Sequence, residues 1–178
     1  MSDLSATFEQ EGWVTVHQAL SSSDCDDVLA QIPQGLQASV GQRSLLNQDW
    51  CQGLAMHLKK QRSLAALMPN AWRPVQCTYF QKSTQRNWLV PMHQDLSIPV
   101  AAKVVDDRLG PWSVKEGGLF VQVPIDVLRR LVAMRVHLDA CGQADGPLRL
   151  VSGSHRQGML DEAETAVLRS AAAPCLLA

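Results

Sequence analysis

His93 and Asp95 stand two residues apart in the stretch Trp88-Leu89-Val90-Pro91-Met92-His93-Gln94-Asp95-Leu96-Ser97. Side chains alternate along an extended strand, so this spacing puts an imidazole and a carboxylate on one face. Such a pair forms two corners of a 2-His-1-carboxylate site for non-haem Fe(II), which leaves positions open for a co-substrate and oxygen. The tripeptide alone is a weak signal, because His137-Leu138-Asp139 supplies a second copy. Of the remaining histidines, His17 has no partner nearby in sequence, and His57 falls on the polar side of a helical pattern.

The elements around this pair follow from periodicity. Residues 73–80 alternate, with Val75, Cys77 and Tyr79 on one face and Gln76, Thr78 and Phe80 on the other, as a strand does. A polar connection leads to a strand over residues 88–98 that carries His93 and Asp95, an arrangement that brings Thr78 and Lys82 near the candidate metal. Residues 105–118 are long for a connection, and loops of that length are often lids. Pro124 suits the first position of a short helix over residues 124–131. Residues 132–139 alternate again, with Met134, Val136 and Leu138 opposite Arg135, His137 and Asp139; that polar face could line a pocket. A turn, a strand over 147–151, a Gly- and Ser-rich loop over 152–158 and a surface helix over 161–170 complete the pattern.

The N-terminal part reads as support. Residues 8–16 end in β-formers and suggest a short strand. Ser21, Ser22, Ser23 and Asp24 offer caps to a helix running from Cys25 to Ile32, with Asp24, Asp26 and Asp27 suited to its positive end. Trp50, Leu54 and Leu58 make one apolar stripe of a helix over residues 47–60, and a further turn follows at 63–68. These residues are expected to form a helical layer against a sheet.

The 178 residues suffice for one domain, and 46% apolar with 19% charged residues is ordinary globular composition. With 16 basic and 17 acidic residues and a net charge of −1, there is no basic stripe to capture nucleic acid or an anionic membrane. A small-molecule substrate is the better expectation. The five cysteines are far apart and include no Cys-x-x-Cys, so reduced thiols are expected rather than a disulfide framework or zinc site. No signal peptide or membrane span is apparent, and the expected compartment is the cytoplasm.

The segment His93-Gln94-Asp95-Leu96, together with Leu138-Asp139-Ala140 and Gly146-Pro147-Leu148-Arg149-Leu150-Val151-Ser152-Gly153-Ser154-His155-Arg156, resembles the phytanoyl-CoA dioxygenase family of iron and 2-oxoglutarate oxygenases. The resemblance spans roughly residues 8 to 178. It implies an α+β, mainly β fold: a double-stranded β-helix of the jelly-roll and cupin kind, with N-terminal helices packed against it. It also implies Fe(II) held by His93 and Asp95, a 2-oxoglutarate co-substrate near Thr78, Gln94 and Arg135, molecular oxygen as oxidant, and hydroxylation of a small organic substrate. Lys82, Trp112 and His137 are the candidate pocket residues. On an ideal strand Gln94 alternates away from its neighbours, so its contact with the co-substrate requires a bend. The family's histidine in the Gly-Ser-His motif belongs to a structural loop, which is the expectation for His155.

The family pattern places a third ligand, a histidine, on a late strand, followed by an arginine for the 2-oxoglutarate carboxylate. Both lie beyond the part resembled here. Residues 174–178 begin an apolar strand pattern without a turn or cap, so the expectation is a single domain over residues 1–178 that lacks its last strands. Two readings remain open: a working oxygenase, or a non-catalytic binding module or truncated remnant on the same scaffold.

Overall fold

The computed structural model describes residues 3–33, 42–69, 71–82 and 90–174. Helix α1 (Leu4–Glu11) starts where the Asp3 carboxylate accepts the Ser5 and Ala6 backbone N–H groups, and it stops at Gly12, whose φ of 81° is the left-handed conformation glycine tolerates best. Helix α2 (Ser22–Gln31) begins with a capping box. The Ser21 hydroxyl accepts the Asp24 N–H at 3.1 Å, and the Asp24 carboxylate accepts the Ser21 N–H at 2.9 Å. The Ser21 hydroxyl also donates to Asp24 Oδ2 at 2.6 Å, and that bond, followed by the one from the Ser21 N–H, holds the Asp24 carboxyl below its ordinary range. A 3-10 turn (Leu45–Asn47) leads into α3 (Asp49–Lys59), followed by α4 (Arg62–Ala65).

The stripe expected on α3 is the one it buries. Trp50, Cys51 and Leu58 are buried, and Trp50 and Cys51 pack with Val28, Ile32 and Leu45 into one core. Leu54, Cys77, Tyr79 and Leu138 pack around that core, so the extended segments 71–82 and 131–139 lie against the helical layer. Burial and contact with Cys51 push the Cys77 thiol up to about 12, which keeps it protonated and unreactive.

The larger sheet has three antiparallel strands in the order β1 (Ser97–Val100), β3 (Gly118–Gln122), β2 (Trp112–Lys115). Phe120 and Val121 of β3 are adjacent and both buried, which requires cover on both faces of the central strand. The β2–β3 turn is Glu116-Gly117, with φ of 50° and 78°. Two consecutive positive φ values are what a type I′ hairpin needs, because its twist matches that of the strands. Arg43 secures the non-glycine position: its N–H donates to Glu116 Oε2 at 2.7 Å and its guanidinium to Oε1 at 2.8 Å. After α5 (Ile125–Leu128) comes β4 (Arg149–Leu150), then α6 (Glu162–Leu168) and β5 (Ala173–Pro174), which pairs antiparallel with β4.

Several sequence expectations are corrected. The segment 105–118 is not a free lid, since Trp112–Lys115 is a hairpin strand. Residues 8–16 do not form a strand: residues 4–11 are helical, and Trp13 to Val16 find no ladder partner among the described residues. Among the described residues, 132–139 find no ladder and bend at Leu138 and Asp139, and in 73–80 only Tyr79 pairs, in an isolated bridge with Gln42. β propensity is realised only where a neighbouring strand supplies hydrogen bonds. Of the expected 174–178 strand, Pro174 lies in β5 and the rest falls outside the described residues. The mix of helices and antiparallel sheets is α+β, as expected, but among the described residues helix outweighs strand, against the expected β majority. No helix among the described residues is long and apolar enough to cross a membrane.

Candidate metal centre

His93 and Asp95 lie on the extended run that enters β1. Val123 N–H donates to Leu96 O at 3.2 Å, one rung before the Ser97–Gln122 pair. In an antiparallel ladder bonded pairs alternate, so Ile98 and Val100 face β3 while Ser97 and Pro99 turn their backbone outward. A proline that lacks an N–H is tolerated at such an outward edge position. The expected strand over 88–98 therefore has ladder pairing only from Ser97 onward, and residues 83–89 lie outside the described residues.

The local geometry selects a tautomer for His93. Its Nδ1 lies 2.8 Å from the Pro91 carbonyl, which can only accept, so Nδ1 carries the proton and Nε2 of the neutral ring bears the lone pair. That Nε2 lies 3.5 Å from Asp95 Oδ1. Two acceptors face one another across less than twice a metal–ligand bond of about 2.1 Å, so one cation can touch both. A backbone carbonyl on the second ring nitrogen is the usual means of orienting a metal-binding imidazole. The side chains are 54% and 90% exposed, so the pair opens to solvent. Among the described residues no group of three His, Cys, Asp or Glu side chains could share a metal ion.

Gln94 points the other way, as strand alternation requires. Its Nε2 donates to Gly158 O at 2.8 Å, and its Oε1 accepts the Leu160 N–H at 2.8 Å. A cavity of about 110 Å³ lies behind the segment, between Met92, His93 and Gln94 on one side and Leu150, Leu160 and Leu168 on the other. The Ser-Gly-Ser-His-Arg loop does structural work at the end of α1. Gly153 N–H donates to Glu11 O at 2.8 Å, Arg156 to Glu9 O at 2.6 Å, and the His155 Nε2 lies 3.1 Å from that same Glu9 oxygen. Helix α1 thereby finds partners for C-terminal carbonyls that have none within the helix.

The other anticipated residues have contacts of their own. Thr78 accepts from Gln76 Nε2 at 3.0 Å, and Lys82 reaches Gly146 O at 3.5 Å. Arg135 is exposed, two residues from His137, whose imidazole is pushed down by burial and by the Arg135 charge, with Asp139 opposing. Trp112 is in β2, with the Lys103 ammonium 5.5 Å from its ring centroid. Among the described residues none of Thr78, Trp112, Arg135 and His137 is hydrogen-bonded or ion-paired to His93 or Asp95. A second cavity, about 180 Å³ between α2 and α3, is lined by Asp24, Asp27, Asp49 and His57; Asp24 caps α2 and Asp49 opens α3. Sequence reasoning missed the partners Gly158 and Leu160, and their only signal was the alternation of Gln94.

The α+β scaffold thus presents an exposed His-x-Asp pair on the approach to its three-stranded sheet. The phytanoyl-CoA dioxygenase (PhyH) family model matches residues 8–173, nearly the whole chain, and the protein belongs to that family. No curated protein and no solved structure matches it.

Proposed function

We propose that this protein is an Fe(II)- and 2-oxoglutarate-dependent oxygenase that hydroxylates a small organic substrate, with His93 and Asp95 as two of its metal ligands. The two antiparallel sheets are then parts of a double-stranded β-helix. The observation that carries the reading is the 3.5 Å approach of His93 Nε2 to Asp95 Oδ1, with the imidazole proton committed to the Pro91 carbonyl. Membership of a family whose kinship is with such oxygenases supports it.

Iron bound there would supply activation of molecular oxygen, the oxidant that couples decarboxylation of the oxo acid to C–H hydroxylation. The chain's own contribution is orientation and charge. Pro91 fixes the imidazole plane, and the Asp95 carboxylate offsets part of the cation's charge. Thr78 and Arg135 are the candidates for the polar groups of 2-oxoglutarate, and a cation of the arginine type suits its distal carboxylate. Lys82, Trp112 and His137 are the candidates for the substrate side. Gln94, with both amide atoms bonded to backbone, contributes by holding position rather than by contact.

The test is 2-oxoglutarate-dependent CO2 release with added Fe(II), with His93→Ala as the control. Release that disappears in the variant supports the oxygenase. No release from protein verified to be folded would refute it. A non-catalytic binding module on the same scaffold is the second reading, favoured by the 90% exposure of the Asp95 side chain. It predicts metal uptake that depends on His93 without decarboxylation.

A further inference from the structure

Residues 91–95 hold the candidate ligands without any backbone ladder to the described residues. Their local bonds are the His93 ring to Pro91 O and the His93–Asp95 contact. Among the described residues, the only hydrogen bonds from this run to a distant part of the chain are the two made by the Gln94 side chain, to Gly158 and Leu160. One amide thus donates to a carbonyl and accepts from an N–H, which is the pairing a neighbouring strand would have offered. The loop it grips is itself fixed, because Gly153 and Arg156 are bonded to the end of α1 and the Asp161–Glu164 capping box opens α6 just beyond Leu160.

We infer that Gln94 is a positioning residue: a two-point amide latch that ties the His93–Asp95 run to the 158–160 loop and sets the direction in which both ligands project. The inference deepens the metal-centre reading and rests on it for its functional half. Side-chain chemistry makes the requirement specific. Glutamate keeps the acceptor but loses the donor and sets a carboxylate against the Gly158 carbonyl, whereas methionine keeps length and volume and loses both bonds.

Two measurements separate the latch from the metal. In metal-free protein, Gln94→Met is expected to speed hydrogen exchange at the Leu160 amide about tenfold, since that part-buried N–H loses its acceptor. Co(II) titration of the same variant is expected to show several-fold weaker binding, whereas Leu64→Ala, which destabilises α4 in the helical layer, keeps wild-type Co(II) affinity while folded. Unchanged Leu160 exchange would overturn the latch. Faster exchange with unchanged Co(II) affinity would overturn the positioning role. Wild-type protein that binds no Co(II) would overturn the metal centre and with it the positioning role, leaving the latch to be judged by exchange alone. Should Gln94→Met fail to fold, wild-type protein decides: a through-hydrogen-bond coupling from the Gln94 side-chain nitrogen to the Gly158 carbonyl carbon is expected, and its absence overturns the latch.

Discussion

Gly12→Ala probes the joint between α1 and the Ser-Gly-Ser-His-Arg loop. Gly12 has φ of 81°, and a Cβ built there runs into the His155 ring, with Cγ at 2.7 Å. Holding alanine in the left-handed region costs about 1 kcal/mol. The collision adds to this, because the ring must swing away and give up its contact with Glu9 O, worth about 1 kcal/mol. The variant should therefore lose roughly 2–3 kcal/mol, or about 5–10 °C in Tm for a chain of this size. His155→Ala alone should cost about 1 kcal/mol. In the double variant the collision is gone and only the backbone cost and the lost contact remain, so the two single losses should exceed the double loss by about 1 kcal/mol. Urea unfolding followed by tryptophan fluorescence measures all three. A Gly12→Ala loss below about 0.5 kcal/mol, or strict additivity, would show that this joint does not carry the load assigned to it.

The centre of the sheet and the charge state of His137 give two further expectations. Phe120, 3% exposed on the middle strand, should cost about 3–5 kcal/mol when cut to alanine, and a circular dichroism melt that barely moves would remove it from the core. His137 is held below its ordinary value of 6.5, chiefly by burial. As pH falls the unfolded chain therefore takes up this proton first, so the contribution is full above about 6.5 and is lost as pH falls through the lower folded value. His137→Gln should accordingly flatten the fall in urea midpoint between pH 7.5 and 5.5; an unchanged slope would show that the imidazole is not desolvated.

The helical layer was legible because its signals are local. A Ser-x-x-Asp cap and an i, i+4, i+8 apolar stripe determine α2 and α3 almost without reference to the rest of the chain, and the structure buries Trp50 and Leu58 as that stripe predicts. The sheet was harder to read. Residues 132–139 alternate cleanly yet find no ladder among the described residues, whereas all but the first residue of the central strand β3 falls in the gap between the expected lid over 105–118 and the expected helix at Pro124. Its signal was present in Leu119-Phe120-Val121, a short apolar run between Gly117-Gly118 and Pro124. Such a run marks a strand buried on both faces, where alternation vanishes because neither face is polar. The Glu116-Gly117 turn went unnoticed for a related reason: its first residue is not one of the usual positive-φ types, and it holds that conformation with help from Arg43, 73 positions away in sequence.

Gln94 shows how two kinds of inference can diverge at one residue. Family resemblance set it beside the co-substrate, while alternation sent it to the opposite face from His93 and Asp95. The alternation describes the structure, in which the amide reaches Gly158 and Leu160. The run that carries the two ligands has no ladder partner among the described residues, and its distant hydrogen bonds come from the residue that points inward. A polar side chain with one donor end and one acceptor end can make that pair of bonds, and glutamine has both with the reach of two methylenes. On this argument the residue between the ligands is constrained by the backbone it grips, and its chemistry should tolerate change less well than its distance from the metal would suggest.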